Sequence, residues 1–217
     1  MIEIPVYNVS GEQVGEVAVD EAQLGGEVRP KLLKQAYVRY HANRRQGSSA
    51  TRGRSEIAYS TKKLYRQKGT GQARRGDRSA NILRGGAHSF AKKTRDWRQD
   101  MPRKMRRLAN RNALLAKAVD GEIKLVDSLE FEKPSTRQFA TALAALGIDR
   151  SCLLALSDVT GSTARSARNV DRVSLTQVDR LNAFDLLNHR YLLVDQAVFE
   201  GYLSRVTADA KQVEEVA

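Results

Sequence analysis

Between Asn43 and Arg95 the chain reads NRRQGSSATRGRSEIAYSTKKLYRQKGTGQARRGDRSANILRGGAHSFAKKTR, and no hydrophobic period runs through it. These 53 residues hold 15 Lys or Arg, two acids, seven glycines and only seven large apolar side chains. Like charges at that density repel, and so little buriable surface cannot offset the entropy of ordering the chain. The stretch therefore has no core of its own. A structureless segment this long inside a domain implies a functional loop or a linker. If it runs out and back, each arm reaches roughly 85 Å when fully stretched, beyond the width of a small domain.

The flanks are different. Met1 to Val28 carries six acids and no base, whereas Arg29 to Arg111 carries 25 bases against four acids. Asn112 to Ala217 is mildly acidic, with 12 bases and 15 acids. The net charge of +12 over 217 residues is thus concentrated in and around the insert. Such a field selects a polyanionic partner, nucleic acid or an anionic membrane surface. No run approaches the 18 or so apolar residues of a membrane span. The opening MIEIPVYNVSGE lacks the basic and apolar regions of a secretory signal. The single Cys152, inside CLLAL, reads as a buried small hydrophobe rather than a disulfide partner or nucleophile. A soluble protein of a reducing, cytoplasmic compartment is expected.

Periodicity organises the rest. IEIPVYNVSGEQVGEVAVD alternates about Ser10-Gly11 and predicts a hairpin. Leu32, Leu33, Ala36, Tyr37 and Tyr40 form a helical stripe beginning at Pro30, where proline suits a first turn. After the insert, Met101, Met105, Leu108, Leu115 and Val119 define an apolar stripe on a second, otherwise basic helix. Short apolar strands then alternate with helices: IKLVDSLEF, PSTRQFATALAAL, CLLALS, STARSAR, DRVSLT, NAFDLLNH, RYLLVD and AVFEGYLSRV. This pattern predicts an α/β fold, a single globular domain with a mostly parallel sheet flanked by helices, and the long basic loop inserted between two helices. The expected organisation is residues 1–42 and 96–206 as the globular domain, 43–95 as the extended loop, and 207–217 as a fraying tail.

The candidate phosphate contacts are the insert's cations and those of the helix after it. They are Arg44, Arg45, Arg52, Arg54, Lys62, Lys63, Arg66, Lys68, Arg74, Arg75, Arg78, Arg84, Lys92, Lys93 and Arg95, then Lys104, Arg106, Arg107 and Arg111. Glycines let such a backbone turn sharply and approach a ligand closely. Tyr59, Tyr65, Phe90 and Trp97 could stack on unpaired bases. Composition does not separate RNA from DNA, but an insert packed among many phosphate backbones fits a folded RNA better than duplex grooves.

Other chemistry is weakly supported. GTGQARRG misses the third glycine of a dinucleotide fingerprint, which is Arg74 here, and no apolar strand precedes it. LLALSDVTGSTARSARNV has strand, turn and helix start but no P-loop pattern, so Ser162 or Thr163 reads as an N-cap. His41, His88 and His189 are scattered and there is one cysteine, so no metal-ligand spacing exists. His88 with Asp77 or Asp96 makes a poor acid/base set, because a floppy loop would have to hold it. No catalytic, cofactor or metal site is expected. A DNA-compacting protein with a basic arm and an RNA-modifying enzyme are the competing classes.

STKKLYRQKGTGQARRGDRSANILRGGAHSF followed by RKMRRLANRNALLAK resembles the bacterial-type ribosomal large-subunit protein four family. RQKGTG, a downstream RGG and RRLA occur in the same order, between the hairpin start and the alternating C-terminal half, so the likeness spans the chain. Ala87 and FAKK stand where the family usually has a further glycine and a Gly-Pro turn. The resemblance implies a globular α/β domain on the large subunit and a loop threading 23S-type rRNA. It also implies neighbouring large-subunit proteins, an early role in subunit assembly, and a loop tip lining the exit tunnel against the nascent peptide. Carried onto this chain, the tip is Arg66, Gln67, Lys68, Gly69, Thr70 and Gly71. Arg74, Arg75, Arg84, Gly85 and Gly86 fall in the returning arm on rRNA.

Overall fold

A computed structural model describes the backbone of residues 1–215 and the side chains of residues 1–206. It separates into two compact units, one made of residues 1–41 with 100–217 and the other of residues 42–99. The first unit is α/β.

Strands β1 (Ile2–Tyr7) and β2 (Gln13–Val19) form the hairpin, closed through Asn8 and Gly11. Gly11 has φ +87°, and a Cβ on it would fall 2.4 Å from the Ala145 carbonyl oxygen, so only glycine fits that turn. Helix α1 (Pro30–Asn43) places Pro30 at its first position, where no amide donor is needed. Leu33, Ala36 and Ala42 are its buried side chains.

Helix α2 (Arg103–Val119) differs from the expected stripe. Met101 precedes the helix, and Val119 is 63% exposed. The buried face runs instead through Ala109, Asn112, Ala113, Leu114, Leu115, Lys117 and Ala118. Two polar residues made this face illegible as apolar. Asn112 donates to the Leu24 carbonyl at 3.1 Å, and Lys117 is neutralised by Glu122 at 2.5 Å while donating to the Arg190 carbonyl at 2.7 Å. A buried cation is tolerated when paired and hydrogen-bonded in this way.

The remaining elements are β3 (Ile123–Val126), α3 (Thr136–Ala145), β4 (Cys152–Leu156), α4 (Ser162–Ala167), β5 (Val173–Gln177), α5 (Ala183–Asn188), β6 (Tyr191–Asp195) and α6 (Gln196–Glu215). Single 3₁₀ turns at Arg54–Glu56 and Val178–Arg180 complete the list of elements among the described residues. Strand β3 ends at Val126, so the DSLEF that follows is irregular rather than strand. The side chains of the expected frayed end, 207–217, and its last two residues lie outside the described residues.

The strands form one sheet in the order β2-β1-β3-β6-β4-β5. Only the β1–β2 pair is antiparallel, which makes the sheet mixed and mostly parallel. The last strand, β6, enters the middle between β3 and β4. The central strands alternate between two apolar cores. Leu125, Leu153, Ala155, Leu192 and Val194 face a core shared with α1, α2, α5 and α6, in which Leu114 and Phe199 are buried. Val126, Cys152, Leu154, Leu156 and Leu193 face a second core with Phe139 and Leu143 of α3 and Ala164 and Ala167 of α4. Coverage on both faces explains why CLLAL is entirely buried and reads as an unbroken apolar run. Burial pushes the Cys152 thiol up to about 12, consistent with an inert packing residue.

His189 ties elements together. Its Nδ1 and Nε2 lie 2.8 Å from the Asp185 carbonyl and the Ser174 hydroxyl respectively.

Asp195 ends β6. Burial, reinforced by the Glu130 carboxylate, raises its pKa to about 6, and its Oδ1 has no hydrogen-bond partner among the described residues. The native state thus binds a proton more tightly than the unfolded chain. Its contribution to stability falls as pH rises from the ordinary carboxylate range through about 6. Asp195→Asn should raise stability at pH 7 by about 1 kcal/mol and much less at pH 4, as read by urea unfolding at the two pH values.

Candidate nucleic-acid interface

Neither hydrophobic cluster contains a residue from the 42–99 unit. Its order comes from polar bonds between two extended arms. Asn43 and Gln99 exchange two bonds, the Gln99 amide donating to Asn43 Oδ1 at 2.8 Å and Asn43 Nδ2 to the Gln99 carbonyl at 3.2 Å. Further out, the Arg95 amide donates to the Gly47 carbonyl at 3.0 Å. Thr51 and Lys92 are joined by Thr51 N–H to Lys92 O (2.9 Å) and Lys92 N–H to Thr51 Oγ1 (2.7 Å). The His88 amide reaches the Arg52 carbonyl at 3.1 Å, and that of Leu64 reaches the Gly76 carbonyl at 2.9 Å. The Tyr65 hydroxyl donates to the Ala73 carbonyl. The pairs step inward along the sequence to a tip at Arg66–Gly71, where Gly69 (φ +84°) and Gly71 (φ +69°) take left-handed turns. Arg66 closes the tip by donating to the Gly69 carbonyl at 3.0 Å.

On the returning arm, residues 77–87 make a compact loop. Asp77 accepts from Ser79 Oγ at 2.7 Å and from Arg54 at 2.8 Å, and these two bonds, Ser79 first, hold its carboxyl below the usual range. The Ala87 amide donates to the Ser79 carbonyl at 3.0 Å, and Ser79 and Ala87 are both buried. RGG acquires a physical meaning here. Gly85 has φ +80°, and a Cβ on Gly86 would lie 2.0 Å from the Ala80 carbonyl oxygen. One glycine supplies the left-handed turn and the other permits backbone contact.

The electrostatics follow from how the two insert acids are used. Glu56 accepts the Gly53 amide at 2.8 Å and Asp77 is bound as described, so both are committed to local turns. All 15 insert cations named from the sequence are exposed. Lys63 also bonds Gln67 and the Arg75 carbonyl. On α2, Lys104 and Arg107 are exposed, whereas Arg106 and Arg111 are half-buried, each with an Nε lacking a partner among the described residues.

The aromatic side chains divide. Phe90 is 98% exposed, and Tyr59 is exposed with Arg78 5.6 Å from its ring centroid. Trp97 carries the guanidinium carbons of Arg45 and Arg95 at 3.6 and 4.1 Å from its centroid.

Alternative chemistries find no geometry. Asp77 is held by Arg54 and Ser79, and Asp96 accepts the Arg98 amide, so no bond assembles either with His88 among the described residues. Ser162 and Thr163 do not cap α4. Their hydroxyls donate to the Phe131 and Leu129 carbonyls at 2.6 Å, and the N-cap is Gly161. The Asp158 carboxylate, three residues before Gly161, is stabilised in its charged form by the Thr160 amide and hydroxyl, an unfavourable neighbour for a phosphate. Among the described residues no cluster of ligating side chains suits a metal ion, and no helix is long and apolar enough to cross a membrane.

Residues 17–204 match the model of the Ribosomal protein L4/L1 family. The chain belongs to that family. It is 40% identical over 195 residues to the large ribosomal subunit protein uL4 of Dehalococcoides mccartyi, covering 90% of this chain and 93% of the relative. Identity to the uL4 of Moorella thermoacetica is 40%, over 89% of this chain and 94% of that protein. With the uL4 of Desulfatibacillum aliphaticivorans it is 37%, over 95% and 100%. The family match runs through the insert as well as the body.

Sequence reading named the cations but missed the residues that shape their scaffold: Asn43, Thr51, Asp77 and Ser79. Nothing local marks Asn43, Thr51 and Asp77, whose partners lie across the two arms, whereas Ser79 bonds within the 77–87 loop to Asp77 and Ala87. Gly86→Ala should break the 77–87 loop. Hydrogen exchange at the Gly86 and Ala87 amides should accelerate several-fold while β4 and β6 are unchanged, because the added methyl meets only backbone atoms, of Ala80 and Leu83.

Proposed function

We propose that this chain is a structural constituent of the large ribosomal subunit, in the cytoplasm, and that its basic insert binds large-subunit rRNA. The observation carrying this reading is a scaffold of backbone bonds bearing 15 exposed cations, with both of its acids spent internally. Such a finger needs external anions at close spacing along both arms, which a folded RNA supplies. Kinship with uL4 proteins across nine-tenths of the chain supports the assignment and points to a structural role rather than an enzymatic one. The α2 cations Lys104, Arg106, Arg107 and Arg111 extend the contact to the body, and neighbouring ribosomal proteins complete its surroundings.

Binding is driven by phosphate neutralisation and counterion release. With about ten phosphate contacts, the log–log slope of affinity against salt should be about −7 to −9. Titration of a large-subunit rRNA transcript at several salt concentrations reads it, and a nearly flat response defeats the proposal. Competition by duplex DNA at fixed salt separates this reading from a DNA-compacting role.

The proposal extends to the tip. Arg66 to Gly71, turned by two left-handed glycines, forms the point that lines the nascent-peptide exit tunnel, and the finger's early burial in rRNA gives the protein an assembly role. Lys68→Glu places a like charge among phosphates. Ribosomes carrying it should assemble but respond abnormally to tunnel-binding antibiotics and stalling peptides; a normal response would remove the tip from the tunnel wall.

A further inference from the structure

The root of the insert contains a group of charges that its own chain does not satisfy. Arg45 leaves on the outgoing arm and Arg95 returns on the other, and both stack on Trp97. Two guanidinium carbons at 3.6 and 4.1 Å from one ring centroid cannot share a face, because two planar forks side by side would overlap. They occupy opposite faces of the indole. The backbone enforces this closeness. The Arg95 amide donates to the Gly47 carbonyl, and a Cβ on Gly47 would fall 2.0 Å from the Arg95 carbonyl oxygen and 2.9 Å from Trp97 Cδ1.

Stacking satisfies the flat faces of the guanidinium groups but none of their N–H donors. Among the described residues, neither side chain has a carboxylate or carbonyl partner, and both are exposed. Two like charges are thus held on either side of one ring, with their donor edges free and no counter-charge between them. That arrangement suits the oxygens of backbone phosphates, which a guanidinium fork grips in a bidentate manner.

We infer that Arg45, Trp97 and Arg95 form a phosphate clamp at the root of the insert, gripping RNA backbone where the two arms emerge. Trp97 is a positioning residue in this clamp: both its faces are taken, so it does not stack on a base as its aromatic character alone suggests. The inference rests on the rRNA-binding reading and assigns that contact a defined site.

The full-length chain and three variants, R45Q/R95Q, W97L and W97F, are titrated with a full-length large-subunit rRNA transcript between 50 and 200 mM KCl. Loss of two phosphate contacts makes the slope of R45Q/R95Q shallower by about 1.4 to 1.8, so it loses about tenfold less affinity than wild type over that range. W97L shifts the slope in the same direction, and W97F, which keeps an aromatic face, restores most of it. None of these positions belongs to either hydrophobic core, so the variants keep the body's fold. Trp97 is the chain's single tryptophan, and its emission should change little on binding because its faces are already covered. A steep wild-type slope retained by R45Q/R95Q overturns the clamp. So does a W97L loss of affinity at unchanged slope with strong quenching of wild-type emission, the mark of base stacking. A flat wild-type slope overturns the rRNA-binding reading itself, and the clamp with it.

Discussion

Repulsion between cations is the constraint on which the rest of this molecule turns. A segment with 15 bases and two acids cannot collapse onto itself, because every approach of its arms raises the electrostatic energy. The fold therefore holds the arms together chiefly with groups that carry no net charge, amide to carbonyl at Arg95–Gly47, His88–Arg52 and Leu64–Gly76 and Asn43 with Gln99 at the root, and adds the Arg54–Asp77 ion pair. Each such bond is worth about 1 kcal/mol or less when exposed to water, too little in sum to fix a rigid rod. An external polyanion completes the structure by removing the repulsion.

The two carboxylates of the insert show how narrow the margin is. Asp77 is used to bind Arg54 and Ser79, and Glu56 to hold the Gly53 amide. Charge neutralisation is local and structural, placed where an arm must bend, and it leaves the outward cations available. The body solves a different problem. Its sheet is covered on both faces, and the buried Lys117 is matched by Glu122. Burial of apolar surface stabilises the body, and hydrogen bonds with shape stabilise the finger.

Much of the fold was legible because hydrophobic periods encode it. The hairpin about Gly11, the unbroken CLLAL and YLLV runs and the helices between them follow directly from alternation and spacing. The α2 face was misjudged because it buries an asparagine and a lysine whose partners come from distant residues, Leu24 and Arg190. Ser162 and Thr163 resemble caps locally yet bond to carbonyls about thirty residues away. In each case a short-range rule lost to a long-range partner.

For the candidate interface the division is sharper. Composition alone determined that the insert is cationic, coreless and in need of a polyanion, since charge and missing apolar surface do not depend on how the chain folds. The sequence also contained RGG and the tip glycines, but as letters. Only the tertiary arrangement decided that Gly86 must admit the Ala80 carbonyl, that Asp77 spans two arms, and that Trp97 is enclosed by Arg45 and Arg95. Arg54 with Asp77 and Arg45 with Trp97 are far apart in the chain, and the approach of Gly86 to Ala80 depends on how the returning arm bends, so no local pattern carries that information.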